Sequence, residues 1–431
     1  MRVLLVGEGA REHIIAEKLA QDAELYSVMS RKNPGIAKLS KKHWIVNTTD
    51  AKAVAAAVDV EIDLAFASPD AVLAAGVSDA LAAKGILVAS PLQAAARIEW
   101  DKGFMRNLME KHKVAGTPKH KVIKDENEAI RTIRDYGMVA IKPLGLTGGK
   151  GVKVSGDHFK TMEEKFAYAQ ELIKKDGSVL IEEKLVGEEF TLQAFSDGTT
   201  LSFMPPVQDH KRAFVGDLGP NTGGMGSYSS GRLLPFMKQS DLEATQAIMH
   251  SVIHAMKKDG APFTGVLYGQ FMLTAHGPRV IEFNSRFGDP EAMNVLALLE
   301  GSLSGIFLSM AEGRLAKADF SEDCTVEKYL VPEGYPGKSV ADAQVIANDE
   351  CLLKCGAKAY HASVYEKEGK IYTTSSRTFG ILGRGATLDE AEGIAEAGCN
   401  CVSGPVWHRK DIGTAALVQK RIDHMRELGL L

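Results

Sequence analysis

Short apolar runs alternate with helical stretches through the first hundred residues of the chain. The segments "RVLLVG", "LYSVMS", "HWIV", "IDLAFAS" and "ILVAS" read as strands, and Ala-rich stretches with helical spacing separate them. Regular alternation of strands and helices is typical of an open parallel α/β sheet. We therefore predict an N-terminal α/β domain over residues 1–100.

The pattern becomes mixed over residues 101–323, where we predict a separate central domain. Its clearest elements are the helix "DLEATQAIMHSVIHAMKKDG" and the hairpin "GVLYGQFMLTAHGPRVIEFN". From residue 324 to 431, β-rich segments such as "IYTTSSRTFGILGRG" and the helix "TLDEAEGIAEAG" predict a small α+β domain.

Composition places the chain among ordinary globular proteins. It has 431 residues, 45% hydrophobic and 25% charged, with a formal net charge of -4. A mildly acidic balance gives no general attraction to nucleic acid or membranes, and no apolar run is long enough to cross a bilayer. We expect a cytoplasmic protein that binds neither. The five cysteines lack zinc spacing, and we expect reduced thiols.

Two glycine-rich segments are candidate anion sites. The segment Gly7–Glu12, "GEGARE", follows a strand and opens a helix, but Glu12 stands where a dinucleotide fingerprint has its third glycine. Its backbone N–H groups still suit an anion, and a tight packing turn is the alternative. The segment "IKPLGLTGGKG" is not a Walker loop, because Gly151 follows Lys150. Its Lys142 and Lys150 favour a polyphosphate, and a hairpin tip is the alternative.

The segment "RVIEFNSRFGDPE" carries the most specific chemistry. Glu282 and Asn284 are two residues apart, which puts both on one face of a strand, and their oxygens suit Mg²⁺. Arg286 can clamp a planar carboxylate with two parallel hydrogen bonds. If Gln270 of the partner strand lies opposite Glu282, it adds a third oxygen. An ordinary edge strand with polar ends is the alternative.

Two further segments admit both a binding and a surface interpretation. "IEEKLVGEEFTL" offers a backbone edge and carboxylates for an adenine and a ribose, or a solvated acidic face. "QDHKRAFVGDLGPNTGGMG", residues 208–226, is either a solvated loop or a loop that folds over an anionic ligand.

Together these motifs resemble those of the ATP-grasp ligases, and more narrowly those of the phosphoribosylamine–glycine ligases (glycinamide ribonucleotide synthetases). The resemblance covers nearly the whole chain and is densest in "QDHKRAFVGDLGPNTGGMGSYS" and "VIEFNSRFGDPE". The chain departs from the family pattern at Ala10 and at "TSSRTFG", where glycines are usual, and at Gln270, where a small residue is usual. These departures concern the ribose-phosphate contacts and the metal role of Gln270 more than the reaction.

The resemblance implies an enzyme of purine biosynthesis that joins glycine to 5-phosphoribosylamine, with ATP and either Mg²⁺ or Mn²⁺, through a glycyl phosphate. It also implies ATP-grasp domains in the centre of the chain, with a lid subdomain at about residues 120–190. The alternatives are another ATP-grasp carboxylate–amine ligase or carboxylase, and a non-catalytic nucleotide-binding module. Both a monomer and a homodimer are compatible with the sequence.

The resemblance also implies a role for individual residues. The catalytic residues are Arg286, Lys142 and Asp209. The ATP-binding residues are Lys102, Lys142, Gly148, Gly149, Lys150, Glu182, Lys184, Leu185 and Glu189. The substrate-binding residues are Gly9, Arg11, Asp209 and Arg286. The metal ligands are Gln270, Glu282 and Asn284.

Overall fold

The computed structural model describes residues 1–145 and 151–431. Its first elements alternate strand and helix: β1 (Arg2–Val6), α1 (Ala10–Leu19), β2 (Glu24–Met29), α2 (Pro34–Leu39), β3 (Lys42–Ile45), α3 (Ala51–Ala57), β4 (Leu64–Ala67), α4 (Asp70–Ala74), α5 (Val77–Ala83), β5 (Leu87–Val88) and α6 (Gln93–Trp100). The strands form a parallel sheet of order β3-β2-β1-β4-β5, which confirms the predicted parallel α/β architecture.

The turn between β1 and α1 needs glycine at its first position. Gly7 has a φ of +136°, and a Cβ there would lie 2.6 Å from Glu12 Cγ. Glu12 itself closes the start of the helix, because its Oε2 accepts from the Gly9 N–H at 2.6 Å and its Oε1 accepts from Ser68 Oγ at 2.6 Å. This capping explains why a glutamate occupies the place of the third fingerprint glycine.

The next region holds a smaller antiparallel sheet with its own core. Its elements are α7 (Lys102–Lys111), β6 (His120–Ile123), α8 (Glu126–Tyr136), β7 (Val139–Lys142), β8 (Lys153–Val154), α9 (Met162–Asp176) and β9 (Val179–Glu183). The strand order is β6-β9-β7-β8. Apolar residues of α8 and α9 pack with those of the strands in a cluster separate from the main core.

The rest of the central region is built on a second antiparallel sheet. Its elements are β10 (Glu188–Asp197), β11 (Leu201–Phe203), β12 (Gln208–Asp209), β13 (Arg212–Phe214), β14 (Leu218–Asn221), β15 (Gly226–Ser229), α10 (Gln239–Lys258), β16 (Thr264–Thr274), β17 (Gly277–Asn284), α11 (Glu291–Leu298), β18 (Leu299–Glu300), α12 (Leu303–Ala311) and β19 (Asp319–Phe320). The sheet has the order β11-β10-β16-β17, and the sequence correctly predicts the hairpin β16–β17.

The C-terminal region adds a mixture of strands and helices. Its elements are β20 (Cys324–Pro332), β21 (Gln344–Ala347), α13 (Asp349–Cys355), β22 (Lys358–His361), β23 (Val364–Lys367), β24 (Lys370–Thr373), β25 (Phe379–Gly385), α14 (Leu388–Cys399), β26 (Val402–Ser403), β27 (Val406–Trp407) and α15 (Ala415–Glu427). One sheet, of order β12-β15-β20-β25-β22, joins this region to both ends of the segment 208–226, called here the glycine-rich loop. That loop is therefore partly ordered into short strands rather than being irregular throughout.

The cysteines depart from the expectation of reduced thiols. Cys351 at the start of α13 and Cys401 before β26 form a disulfide, with their Cα atoms 5.6 Å apart. The pair is separated by 50 positions, so local spacing does not reveal it. Cys324, Cys355 and Cys399 are free thiols, as expected. Within the described ranges, no helix has the length and apolar composition needed to cross a membrane.

Candidate active site

A cavity of about 1110 Å³ lies between the β6–β9 sheet, the β16–β17 hairpin and helix α15. Many of the residues singled out in the sequence line it, although they come from distant parts of the chain. They are Lys142, Glu182, Lys184, Leu185, Glu189, Asp209, Gln270 and Glu282. Gly148, Gly149 and Lys150 fall outside the described residues.

At one side of the cavity, a buried carboxylate is shared by two cations. Glu182 on β9 accepts from Arg106 of α7 through Oε1, and its Oε2 lies 2.6 Å from Lys142 Nζ on β7. Burial alone would raise the pKa of Glu182, but the charges of Arg106 and Lys142 hold it at about 2. Both carboxylate oxygens are thus engaged by protein cations. Glu182 acts here as a partner of Lys142, and its predicted contact with adenine stays a prediction.

Lys102 stands beside this group at the start of α7. Its Nζ donates to the Gly145 carbonyl at 2.9 Å, and its backbone N–H donates to the Leu144 carbonyl at 3.1 Å. The Lys102 side chain therefore holds the base of the glycine-rich segment. Burial, and the nearby charge of Lys142, lower the pKa of Lys102 against the opposing effect of Glu282.

The predicted metal ligands meet on the β16–β17 hairpin. Its register pairs Gln270 with Glu282, and Tyr268 with Asn284. The Gln270 amide nitrogen donates to Glu189 Oε2 at 2.7 Å, while its oxygen is buried and has no partner among the described residues. Gln270 therefore lies opposite Glu282, as a third oxygen ligand on the hairpin requires. Its metal role stays a prediction.

Glu282 is the acidic centre of a basic environment. Burial would raise its pKa, but Lys211, Lys102, Lys142 and Arg286 together lower it. Within the described part of the chain, its carboxylate makes no hydrogen bond or ion pair. A charged carboxylate that faces cations without contacting them leaves room for a ligand between them.

Arg286 lies just beyond β17 and is held by a residue of the N-terminal region. Its Nη2 is 2.9 Å from Glu99 Oε1 on α6, and its Nη1 donates to the Phe287 carbonyl at 3.1 Å. The Nε atom is buried and has no partner among the described residues. The ion pair with Glu99 raises the pKa of Arg286, so the guanidinium stays charged.

A cluster of carboxylates surrounds Lys211, which lies in the glycine-rich loop. Its Nζ is 3.9 Å from both Asp209 Oδ2 and Glu189 Oε2. Burial raises the pKa of Asp209, despite the opposing charge of Lys211. Burial and the nearby Asp209 raise the pKa of Glu291 to about 7, and Glu291 Oε1 accepts from Tyr268 Oη at 2.9 Å. The cluster provides carboxylates close to a lysine beside the cavity.

Helix α15 closes the far side of the cavity. His424 Nδ1 lies 2.5 Å from Glu188 Oε1, and Arg421 Nη2 lies 2.5 Å from Asp217 Oδ2 in the glycine-rich loop. Directly after β9, the Lys184 backbone N–H donates to the Met138 carbonyl at 2.9 Å. The C-terminal helix is therefore fastened to strand β10 next to Glu189, the predicted ribose ligand.

A separate pocket of about 200 Å³ lies at the N-terminal glycine motif. Gly9 lines it together with Arg31, Ser363, Ser376 and Arg377. Arg11 does not line it: Arg11 is buried, with Nε 2.5 Å from Glu12 Oε1 and Nη1 donating to the Phe287 carbonyl at 3.1 Å. The Gly9 N–H also donates to Glu12. The Gly9 backbone donor that the sequence predicts for an anion is therefore already occupied.

Comparison with known proteins agrees with this arrangement. Family models match residues 1–99, 100–292 and 325–415, and they describe the N domain, the ATP-grasp (A) domain and the C domain of phosphoribosylglycinamide synthetase. The chain belongs to the phosphoribosylglycinamide synthetase family. The resemblance drawn from the sequence motifs is thereby confirmed.

Individual relatives of this family match the full length of the chain. The phosphoribosylamine–glycine ligase of Methanosarcina barkeri is 50% identical over 436 residues, which cover 99% of this chain and 100% of that protein. The crystal structure of the Thermotoga maritima phosphoribosylamine–glycine ligase has a TM-score of 0.83 and 26% identity, covering 95% of this chain and 100% of that one.

A more distant structure shares the fold. The biotin carboxylase domain of the Hydrogenobacter thermophilus 2-oxoglutarate carboxylase has a TM-score of 0.73 and 14% identity, with 99% of this chain and 97% of that chain covered. That structure holds MgADP, ADP and bicarbonate. At this identity, the likeness concerns the fold alone.

Several residues of the two pockets were not predicted from the sequence. They are Glu99, Arg106, Tyr268, Glu291, Arg377, Arg421 and His424. Glu291 closes the motif "FGDPE" and Glu99 stands three residues before Lys102, so proximity to known motifs was the available signal for both. Arg377 lies within the quoted segment "TSSRTFG", and Tyr268 lies on the same strand as Gln270, so both also had a signal nearby. Arg106 on α7, and Arg421 and His424 on α15, stand in helices that no motif marks.

Proposed function

We propose that this protein is an ATP-dependent ligase that joins 5-phosphoribosylamine and glycine to give glycinamide ribonucleotide, ADP and phosphate, as a step of purine biosynthesis. The observation that carries the proposal is the position of Glu282, which faces several cations across the cavity without contacting them. This arrangement suits a polyphosphate bound together with a divalent metal ion. Membership of the phosphoribosylglycinamide synthetase family indicates glycine as the acid and 5-phosphoribosylamine as the amine.

The metal ligands fit the donor set that Mg²⁺ or Mn²⁺ requires. Gln270 and Glu282 both line the cavity, and neither the Gln270 oxygen nor the Glu282 carboxylate has a partner among the described residues. Asn284 follows on the same strand as Glu282. Within the described residues, no cluster of three or more His, Cys, Asp or Glu side chains forms a metal site by itself. The phosphates of ATP would therefore complete the shell. A bound divalent ion would neutralise charge on the β- and γ-phosphates.

The lysines position the phosphates for transfer. Lys142 shares its carboxylate partner with Arg106, so it retains positive charge for a phosphate oxygen. Lys102 holds the base of the 145–151 segment, and we propose that this segment, with Gly148, Gly149 and Lys150, covers the phosphates and excludes water. Lys184 and Leu185 would then hold adenine, and Glu189 the ribose.

The acceptor side activates glycine for attack. We propose that Arg286 binds the glycine carboxylate and Asp209 its ammonium group, next to the γ-phosphate. A carboxylate is a poor electrophile, so its oxygen first attacks the γ-phosphorus and ADP leaves, which gives glycyl phosphate. The amine of 5-phosphoribosylamine then attacks the carbonyl carbon, phosphate leaves and the amine loses a proton. The positions of the groups, rather than covalent help from the protein, supply most of the rate.

The 200 Å³ pocket is the proposed site for the phosphoribosyl group. Arg31 and Arg377 bring positive charge to the lining, which also includes the carboxylates of Glu8 and Asp289, and Arg377 Nη2 lies 3.0 Å from Asp289 Oδ2. The serines at 363 and 376 supply hydroxyl donors. Gly9 lines the pocket. Arg11 lies outside the lining and donates to Glu12 and to the Phe287 carbonyl. The polar lining suits a phosphate and sugar hydroxyls.

Two alternatives remain testable. A different ATP-grasp enzyme would use the same ATP residues with another acid, and a non-catalytic module would bind nucleotide without turnover. The test is ADP release with ATP, glycine and freshly prepared 5-phosphoribosylamine, with each component omitted in turn. The proposal requires that product form only with all three. Release with another acid in place of glycine would favour the first alternative, and bound ATP without any release would favour the second.

A further inference from the structure

One buried carboxylate contacts the whole turn that follows β17. Glu99 Oε2 accepts from the Ser285 backbone N–H at 2.9 Å and from Ser285 Oγ at 2.8 Å. Its Oε1 lies 2.9 Å from Arg286 Nη2. The Asn284 amide satisfies its surroundings when its nitrogen donates to the same Oε1 at 3.3 Å and to the Phe283 carbonyl at 3.2 Å. Three consecutive residues therefore share one carboxylate.

The Glu99 contacts fix the orientation of the Asn284 and Arg286 side chains. With its nitrogen on Glu99, the Asn284 amide turns its oxygen the other way. The Arg286 guanidinium has one nitrogen on Glu99 and one on the Phe287 carbonyl, which leaves its buried Nε without a partner among the described residues. Rotation about either side chain would break a buried charged contact, which is costly.

Glu99 also belongs to the junction that holds the other side of the site. Three residues further on, Lys102 donates to the Gly145 and Leu144 carbonyls, at the base of the glycine-rich segment. The junction between α6 and α7 thus contacts two parts of the site. One is the turn that carries Asn284 and Arg286. The other is the backbone of Leu144 and Gly145.

We infer that Glu99 is a positioning residue that sets the metal ligand Asn284 and the carboxylate clamp Arg286 in a single arrangement, so that metal binding and glycine binding depend on the same side chain. This inference rests on the proposed function. The competing interpretation gives Glu99 only a structural role, as the counter-charge of a buried arginine.

The two interpretations differ in kinetics. In Glu99→Gln, the side chain keeps its size but loses the charge that orients Arg286. We expect the KM for glycine to rise about 10-fold or more, since a charge-assisted hydrogen bond contributes about 1.5–3 kcal/mol. The Mg²⁺ concentration for half-maximal activity should rise with it, while the KM for ATP changes less than about twofold, the scatter of a distant substitution. A merely structural role would lower the melting temperature and leave the three constants in their original proportion.

A matched control removes a similar ion pair elsewhere. Glu392 Oε1 lies 2.6 Å from the buried Lys328, within the C-terminal region. Glu392→Gln should lower thermal stability without a selective effect on glycine or Mg²⁺. Glu99→Asp keeps the charge on a shorter side chain and should restore part of the glycine affinity that Glu99→Gln loses.

A milder variant covers the case in which Glu99→Gln does not fold. Ser285→Ala removes one hydrogen bond to Glu99, and we expect a rise of about 2- to 10-fold in the KM for glycine with the KM for ATP unchanged. The reference is Arg286→Lys, which should impair glycine binding. If it does, an unchanged KM for glycine in the folded Glu99→Gln variant would overturn the inference. If only Ser285→Ala folds, an unchanged KM for glycine in that variant would overturn it. Absence of glycine-dependent ADP release in the unmutated protein would instead refute the proposed function. In that case, a crystal structure of Glu99→Gln tests the inference. Changed orientations of Asn284 and Arg286 would support it, and unchanged orientations would overturn it.

Discussion

Two groups of ion-paired residues hold the proposed site residues Lys142 and Arg286, and they are built differently. In the first, Glu182 is shared by Lys142 and Arg106, so two cations compete for one carboxylate. In the second, Glu99 holds Arg286 and also accepts from Ser285, so one carboxylate serves a cation and a backbone turn. Both carboxylates are almost fully buried, yet only the first group has an excess of positive charge.

The difference matches the ligands that the two sides are proposed to bind. A polyphosphate brings several negative charges, and an excess of cations compensates for them. Glycine brings one carboxylate with a fixed plane, and an oriented guanidinium recognises that plane. The contrast indicates that charge governs the first side and orientation governs the second.

The largest expected effect comes from removing the shared carboxylate. Glu182→Gln leaves two buried cations without a counter-charge and should lower the free energy of unfolding by about 3 kcal/mol at pH 7. The pKa of Glu182 is held at about 2, below its ordinary value near 4.5, so its ionised form stabilises the fold. The difference between variant and parent should therefore persist above pH 4.5 and shrink as the pH falls towards 2. Urea unfolding at pH 7 and pH 3.5 measures it, and an unchanged difference would contradict the assignment.

The next effect concerns the proposed metal site. Glu282→Gln removes a negative charge from the proposed Mg²⁺ shell without changing its shape. We expect turnover to fall about 10²-fold or more, because charge stabilisation in the transition state is lost. Steady-state ADP release at saturating Mg²⁺ checks this. Near-normal turnover under those conditions would remove Glu282 from the metal site.

Orientation on the second side is tested by keeping its charge. Arg286→Lys retains a cation but loses the planar two-point contact, which is worth about 1.5–3 kcal/mol. We expect kcat/KM for glycine to fall about 10- to 150-fold, with little change in the KM for ATP. If ATP binding weakens instead, Arg286 is a phosphate ligand. Lys211 and Arg212 then become the candidates for the glycine carboxylate.

The smallest effect concerns Gln270, which donates to Glu189 and is a proposed metal ligand. In Gln270→Ala, the loss of one neutral ligand should raise the Mg²⁺ requirement about 2- to 10-fold, more than it changes the KM for glycine. Titration of activity with Mg²⁺ at fixed ATP measures this. An unchanged titration would leave Gln270 as a strand residue that holds Glu189.

Prediction from sequence succeeds where the chemistry is local to one element. The i, i+2 spacing of Glu282 and Asn284 follows from the period of a strand, and the hairpin sequence predicts that Gln270 lies near Glu282. The parallel N-terminal sheet follows from strand–helix alternation. The proposed limits at 1–100, 101–323 and 324–431 remain predictions, and one sheet includes strands from both sides of the last limit.

The sequence by itself therefore determined the parallel N-terminal sheet, the β16–β17 hairpin, the family and the residues that carry charge along them. Only the tertiary structure decided which charges meet. Glu182 pairs with Arg106 at a separation of 76 positions, Glu99 contacts Ser285 at 186, and His424 contacts Glu188 at 236. The physical reason is that side-chain periodicity is a property of one helix or strand. The partner of a buried charge, in contrast, depends on how separate elements dock, and no local pattern encodes that.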